Sequence, residues 1–260
     1  MHNLINNFYD ENILLNKKIL IIGASAGIGR SVAIAASFHN ASCIILGRNS
    51  EELDKTYSNM KPGNHSIFTC SFDEKDDDFA NIFKEVNSKY GPINSIFHSV
   101  GREFISPLKL NSRISVNEIF NANLFSAIEV LRVASKKGFI HDQGSIIFMS
   151  SISSIKPNFG MSLYSAAKAG LDSLTKTAAL EFSSRKIRVN SILAGAIDTN
   201  MHQRIKNLSI ERSFEIYQEK HLLGVGSVTD IMNLSIFLLS DAAKWITGAN
   251  IIADGGYSLS

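Results

Sequence analysis

Seven short apolar runs, separated by segments with helical spacing, constrain the fold of this 260-residue chain more than any other feature. The first run, Lys17 to Ile22, reads Lys-Lys-Ile-Leu-Ile-Ile and ends at a glycine. Continuous apolar runs of this kind are typical of strands in a parallel sheet, because helices cover both faces of such a sheet. The other six runs lie at 42–46, 65–70, 94–98, 144–149, 187–192 and 250–253.

Between the runs, apolar residues recur at helical spacing, most extensively in the segments 116–134 and 163–182. Strands that alternate with helices predict an α/β fold with a doubly wound parallel sheet of seven strands, in a single domain at 17–260. Residues 1–16 are polar and rich in Asn, and we expect them to form a short arm. Ligands of such sheets bind beyond the carboxyl ends of the strands, so we expect functional residues there.

A glycine-rich stretch follows the first strand and reads Gly23-Ala-Ser-Ala-Gly-Ile-Gly29, with a helical pattern after it. Glycine lets the chain turn tightly and lets its backbone approach a pyrophosphate, which the N–H groups at the start of the next helix can bind. The position of the loop between strand and helix therefore favours a dinucleotide site. The alternative is a purely structural turn.

The end of the second strand bears on the choice of dinucleotide. Folds that prefer NAD place an Asp or Glu there for the ribose 2′-hydroxyl, whereas a nearby Arg suits a 2′-phosphate. This chain has Gly47 and Arg48 at that point, which favours NADP(H) over NAD(H). Ala26 supplies no second basic group in the glycine loop, and Arg48 as a solvated surface charge is the alternative interpretation.

Tyr164 and Lys168 lie four residues apart in the predicted helix 163–182, so their side chains share one face. A nearby ammonium favours the phenolate, and we expect Lys168 to lower the pKa of Tyr164 from its free value of about 10. Such a phenol can act as a general acid or base near neutral pH. An ordinary exposed pair is the alternative, because this spacing arises easily by chance.

Composition argues against several other classes of protein. The net charge is +2 with scattered Lys and Arg, so nucleic-acid binding is not expected. No run approaches the ~18 apolar residues of a membrane span, and the amino-terminal residues do not resemble a secretory signal. Cys43 and Cys70 lie in apolar runs without a paired motif, which predicts buried free thiols and no metal site. We therefore expect a cytoplasmic protein.

Considered together, these motifs resemble those of the classical short-chain dehydrogenases/reductases, and most closely the 3-oxoacyl-carrier-protein reductase-like branch. The resemblance spans about Lys17 to Tyr257. It implies a Rossmann-type sheet with strand order 3-2-1-4-5-6-7. The motifs that carry it are the glycine loop, Asn121-Ala-Asn-Leu, Ser151, Tyr164-x-x-x-Lys168, Arg188-Val-Asn-Ser-Ile-Leu-Ala-Gly195, Thr199, and Thr247-Gly248 before Asp254-Gly-Gly256.

The resemblance implies a catalytic tetrad of Asn123, Ser151, Tyr164 and Lys168. A hydride would pass between the nicotinamide and a carbonyl carbon, interconverting a ketone and a secondary alcohol, with Tyr164 as general acid/base. Ser151 would stabilise the charge on the oxygen, Lys168 would also hold the nicotinamide ribose, and Asn123 would position a water. A strand-end hydroxyl is the alternative for Ser151, and a helix-bending residue is the alternative for Asn123.

The resemblance also implies which residues hold the cofactor. They belong to the glycine loop, to the ends of the second, third and fourth strands, to the Tyr164 helix, and to the segment after the sixth strand. They are Gly23, Ser25, Ala26, Gly27, Ile28, Gly29, Arg48, Asn49, Ser71, Phe72, Ser99, Gly101, Tyr164, Lys168, Gly195, Ile197 and Thr199.

Four departures from the family pattern are visible. The adenine-side Asp that the family has after the third strand is displaced, so Ser71 or Asp73 must serve. Ile22 stands where the family has a Thr whose hydroxyl ties the glycine loop to its strand. The family's Asn-Asn-Ala-Gly reads His98-Ser99-Val100-Gly101, and we expect His98 to be a hydrogen-bonded structural residue. Ala194 replaces the Pro before Gly195, so that loop loses a fixed φ.

Residues 199–226 occupy the position of the family's substrate lid. Their apolar side chains either line a pocket or pack between helices. These side chains are Met201, Ile205, Leu208, Ile210, Phe214, Ile216, Leu222 and Leu223.

The expected partner is a small carbonyl or alcohol, either free, sugar-linked, or bound to a carrier protein. An acidic carrier suits a basic patch of Lys136, Lys137, Arg185 and Lys186, although scattered surface charge explains these residues equally well. The resemblance implies a homotetramer or homodimer formed through two long helices, 113–134 and 163–182, and the last strand. A non-catalytic NADP-sensing regulator and a structural oligomer are the alternative functions.

Overall fold

The computed structural model of the chain describes residues 9–70, 76–201, 203–204, 215 and 217–260, with the side chains of 76–80 excepted. Seven parallel strands form one sheet with the order β3-β2-β1-β4-β5-β6-β7, which confirms the predicted fold class and strand order. The strands are β1 (Lys18–Ile22), β2 (Ser42–Gly47), β3 (Ser66–Thr69), β4 (Ile93–His98), β5 (Ile140–Ser151), β6 (Arg188–Ala194) and β7 (Asn250–Ala253).

Helices connect the strands and lie on both faces of the sheet. Among the described residues they are α1 (Gly27–Phe38), α2 (Ser50–Ser58), α3 (Asp76–Tyr90), α4 (Arg113–Phe120), α5 (Ser126–Ala134), α6 (Ser162–Glu181) and α7 (Val228–Leu239). A π-helical turn, Asn121–Phe125, joins α4 to α5. The predicted helix 116–134 is therefore interrupted at its centre.

Alternate residues of each central strand face opposite layers of the core, because successive side chains in a strand point to opposite faces. In β1, Ile19 and Ile21 pack with α1 and α7, whereas Leu20 and Ile22 pack with α3, α5 and α6. All four side chains are fully buried. Burial on both faces explains why the strands read as continuous apolar runs without polar alternation.

Two strands, β2 and β4, flank β1, and the chain leaves β1 and β4 towards opposite sides of the sheet. The loops that follow these two strands therefore diverge, and a crevice opens at their carboxyl ends. Cys43 and Cys70 are buried and form no disulfide, as predicted. Within the predicted arm, Leu14 is fully buried and packs in the core layer that contains α1.

The strand β5 begins at Ile140, four residues before the predicted start at 144. The register against β4 shifts between Ile93 and Ser95, and Gln143 adopts a left-handed backbone with φ 64°. The irregularity leaves the polar residues 141–143, which precede Gly144, without a partner on β4. None of the described helices has the length and hydropathy needed to cross a bilayer.

Candidate active site

The glycine loop lies in the crevice and leads directly into α1. A Cβ atom on Gly29 would lie 2.2 Å from the carbonyl oxygen of Gly23, so only glycine fits where the loop packs on itself. Ala26 precedes α1 and offers no side chain to cap the helix. The first N–H groups of α1 therefore face the crevice without a side-chain acceptor at the cap, which suits a phosphate.

Ser99 supplies the hydroxyl hydrogen bond between the glycine loop and the sheet that Ile22, which has no hydroxyl, cannot make. Its hydroxyl donates to the carbonyl oxygen of Ile22 at 3.0 Å and lies 3.3 Å from that of Gly23. The hydroxyl comes from the residue after β4, whereas the family's Thr belongs to β1. The hydroxyl of Ser99 thus takes the place of the hydroxyl that is missing at position 22.

A pocket of about 320 Å³ fills the crevice, a volume within the usual range for ligand sites. Of the predicted cofactor-binding residues that the structure describes, all except Asn49 line this pocket. The side chain of Asn49 instead accepts a hydrogen bond from the N–H of Glu52 and caps α2. Ser71 and Phe72 lie outside the described residues. Further lining residues are Gly47, Val100, Glu103, Met149, Ser150, Ser151, Ser153, Met161, Ala194, Ala196, Asn200, Met201, Arg204 and Tyr217.

Ser151, Tyr164 and Lys168 converge on the pocket from two elements. Ser151 ends β5 and is hydrogen-bonded to the Tyr164 phenol, and the Nζ atom of Lys168 lies 5.7 Å from the centre of the phenol ring. Lys168 Nζ also donates to the carbonyl oxygen of Met149 at 2.8 Å. Tyr164 is 8% exposed and Lys168 is 3% exposed, so the interpretation as an ordinary exposed pair is wrong.

The expected lowering of the Tyr164 pKa is also wrong for this structure. Burial raises the pKa of Tyr164 to about 12, and it outweighs the hydrogen bond from Ser151, which favours the phenolate. The nearby carboxylate of Glu103 adds to the rise in pKa. Proximity to Lys168 suggested the opposite sign because sequence spacing contains no measure of desolvation.

Burial acts on Lys168 as well. It lowers the pKa of the ammonium to about 8, and the carboxylate of Asp172, one helical turn further along α6, opposes that change. Asp172 is itself buried and accepts a hydrogen bond from the Ser191 hydroxyl at 3.2 Å. Lys168 therefore remains mainly protonated at neutral pH and places a positive charge behind the phenol.

Asn123 lies in the π-helical turn and stands behind the pocket. Its Nδ2 atom donates to the carbonyl oxygens of Ile119 and Arg102, both at 2.9 Å. A Cβ atom on Gly101 would lie 3.0 Å from Asn123 Oδ1 and 3.4 Å from Lys168 Nζ. The glycine thus allows the loop after β4 to pass between the two side chains.

His98 is a structural residue, as predicted. It is fully buried, and its Nε2 atom lies 3.1 Å from the Ser126 hydroxyl, which donates to the Ala122 carbonyl oxygen. Nε2 must therefore carry the proton of the neutral ring. Burial, aided by the charge on Lys168, lowers the pKa of His98 to about 3. The imidazole is neutral at physiological pH.

An ion pair between Glu103 and Arg204 crosses the mouth of the pocket and was not predicted. Arg204 Nε lies 2.5 Å from Glu103 Oε1, and its second nitrogen lies 3.2 Å from Oε2. The pair joins the loop after β4 to the start of the predicted lid. The two residues are 101 positions apart, and no local pattern in the sequence relates them.

The predicted lid is only partly described. Met201 lines the pocket as expected, and Tyr217 lines it as well although it was not predicted. Leu222 and Leu223 are 64% and 89% exposed and do not belong to the lining. The remaining apolar residues of the predicted set, 205–216, lie outside the described part of the chain.

The chain is similar to known proteins over nearly its whole length. A family model described as enoyl-(acyl carrier protein) reductase matches residues 23–258. The 3-oxoacyl-[acyl-carrier-protein] reductase of Mus musculus is 30% identical over 246 residues, which are 95% of this chain and 100% of that protein. The 3-oxoacyl-[acyl-carrier-protein] reductase FabG of Staphylococcus epidermidis is 31% identical over 245 residues, covering 93% and 99%.

Solved structures show the same likeness. A short-chain type dehydrogenase/reductase from Mycobacterium ulcerans superposes with a TM-score of 0.85 at 28% identity, covering 94% of this chain and 90% of that one. A dehydrogenase/reductase from Sinorhizobium meliloti 1021 gives a TM-score of 0.86 at 26% identity, with coverages of 95% and 97%.

The first prediction concerns the charge at the pocket mouth. Glu103→Gln removes a carboxylate that raises the pKa of Tyr164, so we expect the phenol to ionise at lower pH. Ultraviolet difference titration of each protein against its Tyr164→Phe counterpart would measure this. Glu118→Gln is the matched control, since Glu118 also pairs with an arginine, Arg102, at 3.1 Å. An unchanged titration in Glu103→Gln would contradict the assigned electrostatic contact.

The second prediction concerns the cost of burying Lys168. Its pKa falls from 10.5 to about 8, so the unfolded chain binds more protons between these values and the stability of the native protein rises with pH there. The Lys168→Met variant has no ammonium at this position, so its stability lacks this rise with pH. The stability of the variant relative to the native protein should therefore be greatest below pH 8 and should fall by about 3 kcal/mol towards pH 10.5.

Urea unfolding of both proteins across this pH range measures the difference. Lys176→Met serves as the control because Lys176 lies on the same helix with its side chain exposed. A difference that stays constant with pH in Lys168→Met would show that the ammonium is not desolvated.

Proposed function

The chain belongs to the short-chain dehydrogenase/reductase family, and we propose that it reduces a ketone to a secondary alcohol with NADPH. Membership of the family makes it an oxidoreductase that acts on CH–OH groups. The observation that carries the proposal is the buried Tyr164 phenol, hydrogen-bonded to Ser151 and protonated at neutral pH, in a pocket that begins at the glycine loop.

The pocket fits a nicotinamide dinucleotide. The close packing of Gly29 on the loop and the uncapped start of α1 suit the pyrophosphate. Arg48 is exposed at the end of β2 and lines the same pocket, where its guanidinium would bind a 2′-phosphate. Gly195, Ile197 and Thr199 also line the pocket and would contact the nicotinamide. When bound, NADPH supplies the hydride for the carbonyl carbon.

The residues of the chain supply the proton and stabilise charge. Tyr164 donates its phenolic proton to the carbonyl oxygen, on which negative charge develops. Ser151 donates a second hydrogen bond to the same oxygen. The ammonium of Lys168 lies close enough to stabilise the phenolate that remains. The Asn123 side chain donates a hydrogen bond to the carbonyl oxygen of Arg102 and so holds the backbone there beside Lys168. That Asn123 also positions a water molecule stays a proposal.

The raised pKa of Tyr164 keeps the phenol protonated at neutral pH, which is the form that carbonyl reduction requires. A phenol with a pKa of about 12 is protonated at neutral pH and is ready to donate. Alcohol oxidation needs the phenolate as a base, which burial disfavours. The Ser151 and Tyr164 hydroxyls that line the pocket can donate hydrogen bonds to a carbonyl oxygen, whereas a carbon–carbon double bond has no oxygen to accept them. A sensor that only binds NADP(H) has no need of either hydroxyl.

The proposed substrate is a 3-oxoacyl thioester, because the relatives that match along nearly their whole length are named as reductases of that substrate on a carrier protein. A small or sugar-linked ketone is the second candidate. The Glu103–Arg204 pair favours it, since these charged groups offer hydrogen bonds to substrate hydroxyls at the pocket mouth.

The predicted basic patch lies away from the pocket of its own chain. Lys136 and Lys137 precede β5, and Arg185 and Lys186 precede β6, so all four lie at the amino ends of the strands. Arg185 is already bonded to Asp142 at 2.8 Å. Docking of a carrier protein at this patch therefore gains no support from the position of the patch within one subunit.

We also propose self-association and a cytoplasmic location. Large apolar side chains are exposed on the elements that the family resemblance assigns to subunit contacts, which suits a homotetramer or homodimer. On the helices they are Ile114, Phe125, Ile128 and Leu180, and near the last strand they are Trp245, Ile252 and Leu259.

The third prediction tests the choice of cofactor. Arg48→Ala should raise the Kd for NADPH roughly 10- to 100-fold, the loss expected for a charge-assisted hydrogen bond, and should leave the Kd for NADH nearly unchanged. Fluorescence titration of both cofactors measures the effect. Lys55→Ala is the control, because it removes a charge from the neighbouring helix α2 at a residue outside the pocket lining. Equal weakening of both cofactors would argue against the NADP assignment.

The fourth prediction tests the reaction. Tyr164→Phe should lower kcat for ketone reduction by about 10²- to 10⁴-fold, the usual contribution of a general acid, while the Kd for NADPH changes little. Consumption of NADPH should be followed with a 3-oxoacyl thioester and with a panel of small and sugar-linked ketones. If the native protein is no faster than Tyr164→Phe on every substrate, the proposed reductase function fails.

A further inference from the structure

His221 is a buried histidine near the end of the lid segment, and both of its ring nitrogens are used. It is 3% exposed. Its Nε2 atom accepts from the N–H of Ala196 at 2.9 Å, and its Nδ1 atom lies 3.0 Å from the carbonyl oxygen of Tyr217. Because Nε2 accepts, Nδ1 carries the proton and donates to Tyr217. The two bonds require the neutral imidazole in this tautomer.

The bond to Ala196 reaches the loop that follows β6. Ala194, Gly195, Ala196 and Ile197 all line the pocket at its proposed nicotinamide end. Two backbone hydrogen bonds also hold this loop. The N–H of Gly195 donates to the carbonyl oxygen of Ala253 at 3.0 Å, and the N–H of Gly226 donates to that of Ala196 at 2.9 Å. Ala194 stands where the family has Pro, so the backbone of this loop is not fixed covalently. His221 supplies a side-chain bond to the loop.

The ring of His221 is itself held by aromatic neighbours. It stacks on Tyr257 with 4.7 Å between ring centres, and Tyr217 packs edge-on against it at 5.0 Å. Tyr257 donates through its hydroxyl to Asn158 Oδ1 at 2.9 Å, and Lys156 Nζ donates to the Tyr257 carbonyl oxygen at 2.8 Å. The imidazole therefore has one orientation, set by the carboxyl-terminal turn and by the segment before α6.

We propose that His221 is a positioning residue for the cofactor site: it holds the loop 194–197 in the conformation that receives the nicotinamide, and it couples this loop to Tyr217 of the lid. The proposal rests on the nicotinamide function proposed above. Ala196 is 4% exposed, so its N–H would lose its partner without gaining water if the imidazole were removed. The loop would then spend more time in conformations that do not bind the cofactor.

The experiment compares His221→Leu, His221→Gln and His39→Leu. Glutamine retains an acceptor and a donor, so it should rescue much of the effect. His39 is a matched control, since it is 4% exposed, its Nδ1 atom lies 3.1 Å from the Asp10 carbonyl oxygen, and Tyr9 packs edge-on against its ring. If His221→Leu does not fold, His221→Asn takes its place because its shorter side chain cannot reach both partners.

Two quantities are measured: amide hydrogen exchange of Ala196 without cofactor, and the Kd for NADPH. We expect His221→Leu to raise both by about tenfold, His221→Gln to raise them less, and His39→Leu to lower Tm without changing either. An unchanged Ala196 exchange rate in His221→Leu would overturn the positioning role. Faster exchange with an unchanged Kd would overturn the link to the cofactor.

Failure of the proposed function gives a different result. If the native protein does not bind NADPH, the nicotinamide site is wrong and the link of His221 to it is wrong as well. The exchange rate of Ala196 then decides by itself whether His221 holds the loop.

Discussion

Burial of an ammonium beside a phenol is the constraint on which the site depends. Tyr164 and Lys168 are both buried, and this burial moves their pKa values towards the uncharged forms, to about 12 and about 8. The protein retains the charge on Lys168 with the carbonyl oxygen of Met149 and the carboxylate of Asp172. A protonated phenol next to a marginally stabilised ammonium suits proton donation to a substrate oxygen.

Where the chain departs from the family pattern, side chains from other parts of the chain form hydrogen bonds in the same region. Ser99 ties the glycine loop to β1 in place of a hydroxyl at position 22. His98, at a position where the family has an asparagine, is hydrogen-bonded through Nε2 to the Ser126 hydroxyl. His221 holds the loop in which Ala194 replaces Pro. Each of these contacts joins residues that are distant from each other in the sequence.

Local patterns were sufficient for the fold because the strands are buried on both faces and therefore read as apolar runs. The glycine loop and the Tyr164–Lys168 spacing were also visible, since each depends on neighbours within a few residues. The pKa of Tyr164 was predicted with the wrong sign because desolvation depends on the whole surroundings of the group. The start of β5 was missed because its irregularity depends on pairing with β4.

The sequence by itself determined the order of strands and helices, the family, and the residues that reach the carboxyl edge of the sheet. These properties follow from hydrophobic period, glycine spacing and the family motifs. Only the tertiary structure decided the electrostatics of Tyr164, the Glu103–Arg204 pair and the bond from His221 to Ala196. Each of these depends on groups from distant parts of the chain that the fold brings together, and no local pattern in the sequence records that meeting.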